Sequence, residues 1–154
     1  MTSFDLASPE TPLSARLALG RKYAAKYLLD PAVVCAIAEQ ESSWNPWAIR
    51  FEPAFERRYI HPTLPEAPTT LELTKAMSFG LMQIMGETAI EFGFARPFLS
   101  ELCDPDVGMD FGCRKFNRCC DQHPGNIEAA LLAYNGGSNA AYPQLVLDRR
   151  SKYY

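Results

Sequence analysis

Proline and glycine punctuation constrains this chain more than any other feature. Twelve prolines and nine glycines are spread through 154 residues, so a regular element cannot run far before meeting a residue that ends it. Between the breaks, apolar residues recur at helical spacing, and little of the chain alternates as a strand does. The sequence therefore predicts many short helices in one globule rather than a coiled coil. The expected fold class is all-α or mainly α, in a single domain over 1–154. Hydrophobic residues make up 47%, enough apolar side chain for a core, which excludes a disordered chain. No apolar run approaches the roughly 20 residues that a spanning helix needs, so no membrane insertion is expected.

Start and stop signals place the elements. The first helix is expected over Ser14 to Leu29. The second opens at Asp30-Pro31, an acceptor at the N-cap with proline behind it, and ends near Ser43 because Asn45-Pro46 forbids continuation. Residues 47–76 carry Pro53, Pro62, Pro65 and Pro68 and read as an irregular excursion with a short hairpin or helix. Long irregular segments in compact domains are often functional. A short helix is expected over Glu87 to Phe92, closed by Gly93. Asp104-Pro105 repeats the cap signal and opens a helix to about Asp121. Asn126 caps Ile127 to Tyr134, which stops at Asn135-Gly136-Gly137, and Pro143 to Tyr154 forms the last helix.

Fifteen Lys and Arg against eighteen Asp and Glu leave a formal charge of −3, with no basic run. Phosphate recognition leans on clustered cations, so nucleic acid is not an expected partner. Two histidines, His61 and His123, and five cysteines without CxxC spacing argue against a metal site, and no metal or cofactor is expected. Met1 to Glu10 has neither a basic start nor an apolar stretch. The expectation is a chain made in the cytoplasm without a secretory signal, its cysteines reduced and buried as small hydrophobes. In an oxidising compartment Cys103 would be able to pair with Cys119 or Cys120.

Three fragments carry candidate chemistry. In the second helix, with Val34 set at 0° and each residue advancing about 100°, Ile37 falls near −60°, Ala38 near +40° and Glu41 near −20°. Glu41 thus sits in the middle of the apolar stripe, while Glu39 points to the opposite, solvated side. Desolvation raises the pKa of such a carboxyl and prepares it as a general acid. The plainer reading is that Glu41 reaches water or an arginine from the helix end. The second fragment is Ser78 to Met85. Gly80 permits close backbone approach to a ligand, and the Gln83 amide, within an apolar run, needs partners that a sugar or the backbone would supply. The third is Ala133 to Gly137. Ile127, Ala130, Leu131 and Tyr134 form an apolar stripe, and the Tyr134 hydroxyl needs a partner.

Taken in order, these fragments resemble the catalytic domain of soluble lytic transglycosylases and the related goose-type lysozymes. The matching motifs are Glu41-Ser42-Ser43-Trp44-Asn45-Pro46, then Gly80-Leu81-Met82-Gln83 followed by Ile84-Met85, then Ala133-Tyr134-Asn135. The resemblance implies a lysozyme-like fold with a cleft for peptidoglycan glycan strands. It implies that Glu41 is the one essential carboxylate, acting first as acid and then as base to leave 1,6-anhydro-muramyl ends. It further implies that Tyr134 holds Glu41 or the substrate N-acetyl group, and that Ser78, Gly80, Met82, Gln83, Met85 and Asn135 serve the sugar subsites. Two departures stand out. Arg50 occupies the place of a substrate-contacting serine, for which Ser78 is the candidate replacement. The Glu41-to-Gly80 spacing is also lengthened by the excursion over 51–76. A second carboxylate from that excursion would make the enzyme a hydrolytic muramidase. The same motifs would also suit a chitin-cleaving relative or a non-catalytic peptidoglycan-binding module. A monomer acting on the cell wall is expected, with a phage-encoded lysis enzyme as the favoured source.

Overall fold

The computed structural model describes residues 12–154. The leader-free start expected for Met1 to Glu10 lies outside the described residues. Eight α-helices and a three-stranded sheet make up the described fold. The helices are α1 (Leu13–Lys26), α2 (Pro31–Ser42), α3 (Pro53–Phe55), α4 (Thr70–Thr74), α5 (Gly86–Glu91), α6 (Pro105–Gln122), α7 (Ile127–Tyr134) and α8 (Tyr142–Arg150). The architecture is mainly α, as the punctuation predicts.

The caps behave as their chemistry requires. Asp30 accepts from the Ala32 N–H, Asp104 from the Asp106 and Val107 N–H groups, and Asn126 from the Ala129 N–H, each satisfying donors that a helix start leaves without partners. α1 ends sooner than expected. Leu28 turns to φ 55°, and the Tyr27 and Leu29 N–H groups fold back onto Ala24 O. The last helix likewise stops at Arg150 and continues as a 3₁₀ turn, Ser151–Tyr153.

Where a short hairpin or helix is expected within 47–76, the segment forms the short helices α3 and α4 and contributes a single strand to the sheet. β1 (Ile49–Phe51) pairs antiparallel with β2 (Met77–Phe79), which pairs antiparallel with β3 (Ile84–Met85). The partner of β1 thus lies beyond the excursion, and residues 52–76 form a long insertion between two paired strands. That insertion is compact: α3 runs into a π-helix, Glu56–Ile60, and a 3₁₀ turn, His61–Thr63. α4 is closed by a reciprocal Thr69–Glu72 capping box.

α2 forms the centre of the core. Val34, Cys35, Ala36, Ile37 and Ala38 are fully buried, so the helix is enclosed on nearly all sides until its last turn, where Glu41 emerges. α1, α8 and the C-terminal 3₁₀ turn pack around it. Glu39, expected to be solvated, is half-buried and engaged. It accepts from Lys152 Nζ at 2.5 Å and from the Tyr153 hydroxyl at 2.7 Å. The Trp44 indole N–H in turn donates to Tyr153 Oη at 2.8 Å.

Candidate active site

A cleft of about 380 Å³ opens where the end of α2, the sheet, α6 and the end of α7 meet. Glu41 lies on its wall. The sheet register explains the opposite side, because Arg50, Ser78 and Met85 stand opposite one another across the three strands. This cross-strand row lines the cleft, while Phe79 and Ile84, on the alternate positions, are buried in the core.

The Gly80–Gln83 turn holds the row in place from behind. Gln83 takes φ 47°, unusual for a residue with a side chain, and its amide is anchored on three sides. Its Nε2 donates to Ala48 O and Gly80 O at 3.0 Å each, and its Oε1 accepts from Ser78 Oγ at 2.9 Å. The backbone and Ser78 therefore supply the partners that this half-buried amide requires, and Gln83 still borders the cleft. Gly80 (φ 72°) makes its close approach to the protein rather than to a ligand, since a Cβ there would overlap the Leu102 carbonyl oxygen. Met82 is fully buried and packs where Gly112 of α6 leaves room for it. Neither Gly80 nor Met82 lines the cleft.

Ser42, next to Glu41, explains why a serine follows the glutamate. Its hydroxyl donates to Leu81 O at 2.8 Å, tying the end of α2 to the turn that carries Gln83. Asn135 borders the cleft and its Oδ1 orders the loop after α7, accepting from Ser138 Oγ at 3.2 Å and the Asn139 N–H at 3.1 Å. Tyr134 lines the cleft by its ring, but its hydroxyl donates to Met82 O at 2.8 Å. It braces the turn and does not hold Glu41.

Tyr142 holds Glu41 instead, donating to Oε1 at 2.5 Å. Burial pushes the Glu41 carboxyl above the usual carboxylate range. Tyr142 and the charges of Lys115 and Arg50 pull it back without reversing the shift, and Glu52 adds to the rise. Burial and the adjacent carboxylate both raise the Tyr142 hydroxyl, so it remains a donor. Lys115 reaches into the cleft with Nζ 4.2 Å from the Tyr134 ring centroid. Burial lowers its ammonium and Glu41 opposes that shift. The other cleft carboxylate, Glu52, is tied by its Oε1 to Arg50 Nε and Nη2 at 2.6 Å each.

The family model described as Transglycosylase SLT domain matches residues 18–152. The chain belongs to this family. Two similar relatives are the membrane-bound lytic murein transglycosylases C of Yersinia pestis (strain Pestoides F) and of Yersinia pseudotuberculosis (serotype O:1b, strain IP 31758). Each is 26% identical over 137 residues, covering 80% of this chain and 32% of the relative. The chain thus spans about a third of the length of the curated relatives it matches. Among solved structures, an inactive Glu-to-Gln mutant of the lytic transglycosylase Slt from Pseudomonas aeruginosa superposes with a TM-score of 0.63. It is 22% identical and covers 92% of this chain and 24% of that one, which shows that the fold is shared.

Within this SLT domain, sequence reasoning passed over Tyr142, Lys115 and the bracing role of Ser42. Lys115 was within reach of the criterion that singles out Glu41. It falls three residues after Gly112 and four before Cys119, both buried on the core-facing side of α6. The described residues hold no group of three or more His, Cys, Asp or Glu placed for a metal ion, and no helix long and apolar enough to cross a membrane. All five thiols are free, so neither pairing considered for Cys103 is present.

Proposed function

We propose that this domain is a lytic transglycosylase, cleaving the β-1,4 bond between N-acetylmuramic acid and N-acetylglucosamine in peptidoglycan with Glu41 as its single acid and base. The observation that carries this reading is the contrast between the two cleft carboxylates. Glu41 is half-buried, raised above the usual range and bonded to a hydroxyl, whereas Glu52 is ion-paired with Arg50. A two-carboxylate hydrolase would need the second carboxylate free to activate water, and here Glu52 accepts from Arg50.

The chemistry follows from the two oxygens of Glu41. Tyr142 occupies Oε1, which leaves Oε2 to carry the proton. That proton passes to the glycosidic oxygen as the bond to C1 breaks, and the leaving sugar departs with a hydroxyl. The substrate acetamido oxygen covers the positive charge at C1. Glu41, now a carboxylate stabilised by Tyr142 and Lys115, takes the proton of the muramyl C6 hydroxyl as its oxygen closes on C1. The acetamido group is released, a 1,6-anhydro ring forms, and Glu41 is again protonated without water entering. A raised starting pKa with nearby stabilisers of the anion suits a group that performs both steps.

Ser78, Met85, Tyr134, Asn135 and Gln83 border the cleft and are assigned to sugar contact, while Gly80 and Met82 support them from beneath. We assign the active unit to the monomer, since one chain supplies the whole cleft, and its place of action to the cell wall. The test is digestion of purified peptidoglycan followed by mass spectrometry of the muropeptides. The expected products are lighter by one water than reducing muropeptides, and Glu41→Gln yields none. Reducing ends would establish a muramidase, and cleavage by Glu41→Gln would remove Glu41 from the mechanism.

A further inference from the structure

The cleft does not end at Phe55 and Thr88. Both residues also line a second groove of about 500 Å³, bounded by Tyr59, Ile60, Glu87 and Glu91. The volume falls within the roughly 300–1,000 Å³ of small-molecule sites. The insertion builds one wall. α3 leads into the π-helix, a geometry frequent at functional sites, and Phe55 and Tyr59, four residues apart, pack with ring centroids 4.9 Å apart. Tyr59 remains 52% exposed, and the Arg58 guanidinium braces it 5.1 Å from the ring centroid. A ring this open adds little to the core, yet Tyr59 packs against both Phe55 and Arg58. The other wall comes from α5. Glu87 lies 3.9 Å from Lys75, and Glu91 is exposed.

We propose that this groove is an additional sugar-binding site, in which the Phe55–Tyr59 wall stacks against the apolar C–H face of a pyranose ring and Glu87 and Glu91 accept hydrogen bonds from its hydroxyls. The inference rests on reading the Glu41 cleft as a glycan site. Its occupant is the same strand, because the two cavities share lining residues and a strand leaving the cleft past Phe55 enters the groove. The groove's chemistry matches a sugar: aromatic surface for the ring face and anionic acceptors for a neutral polyol rim. Its carboxylates favour the neutral N-acetylglucosamine ring of the strand over the lactyl-bearing N-acetylmuramic acid ring beside it. The insertion between β1 and β2 thereby lengthens the binding track, and the domain discriminates in favour of long strands.

The test uses Glu41→Gln as a background that binds without cleaving. Calorimetry measures its affinity for peptide-free peptidoglycan tetrasaccharides and octasaccharides. The longer ligand is expected to bind about tenfold more tightly, the size of one good aromatic contact. Tyr59→Ala in the same background is expected to abolish the length gain, and Tyr59→Trp to restore it. Because Tyr59 is half-exposed, the Ala variant is expected to melt as the background does. A length gain that survives Tyr59→Ala, or no gain in the background itself, overturns the groove and leaves the cleft reading intact. Failure of both ligands to bind the background overturns the cleft reading, and the groove with it.

Discussion

Tyr142 reaches Glu41 across 101 residues of chain, a contact that only the folded state creates. Its hydroxyl favours the ionised carboxyl, opposing the burial that favours the acid. Removing it in Tyr142→Phe leaves burial less opposed, so the Glu41 pKa rises further. Glu41 then stays protonated to higher pH, and the alkaline limb of the pH–rate profile moves upward. The loss of orientation lowers kcat as well, by about ten- to a hundredfold. A pH–rate series on peptidoglycan checks both, and an unmoved limb would detach Tyr142 from the ionising group. Glu41 itself was legible in the sequence because a carboxylate on an apolar stripe is costly unless it has work to do. Its partner was not. Helical periodicity says nothing of which hydroxyl meets which carboxylate 101 residues away. The resemblance gave Tyr134 either that role or a grip on the substrate N-acetyl group, and the fold commits its hydroxyl to Met82 O.

Among the elements, the helices were legible from local chemistry, since Asp30, Asp104 and Asn126 each satisfy backbone donors two or three residues ahead. The sheet was not. Its strands are two or three residues long, shorter than the four to eight over which alternation becomes a signal, and β1 finds β2 only across the whole insertion. The turn joining β2 to β3 bears the greatest local constraint. Gly80 combines a left-handed backbone with a contact that leaves no space for a Cβ against Leu102 O. Gly80→Ala is expected to destabilise the protein by about 2–4 kcal/mol, through positive φ and overpacking together. Urea unfolding would measure it. A cost below about 0.5 kcal/mol would show that the turn relaxes, in which case Ser78 and Gln83 would no longer be held rigidly.

The described fold closes where α1 and the C-terminal 3₁₀ turn pack around α2. The terminal 3₁₀ turn inserts Tyr153 between Trp44 and Glu39, giving an indole N–H, hydroxyl and carboxylate in series. Burial pushes Glu39 up, but Lys152 and Tyr153 outweigh it and hold the carboxyl below the usual range. The folded state thus binds that proton more weakly than the unfolded chain. The stabilisation is present above the ordinary carboxylate pKa and is lost as pH falls through the lower folded value. Deleting Ser151 to Tyr154 strands the Trp44 N–H and empties a buried aromatic site. The expected cost is about 3 kcal/mol or more, read from the urea midpoint, and a smaller cost would assign the closure of this face to α8 alone. The thiols add a property of a different kind. Cys35 and Cys113 are buried and pushed up to about 12, while Cys103 and Cys119 are buried and raised in the same direction. Alkylation requires a thiolate that reagent can reach, so each of the four reacts only as fast as its surroundings open. Cys35 times the parting of α1 from α2, Cys103 the loosening of the turn behind Gly80, and Cys113 and Cys119 the lifting of α6. The molecule thereby carries a set of internal clocks for its own breathing, readable peptide by peptide without a foreign label in the fold.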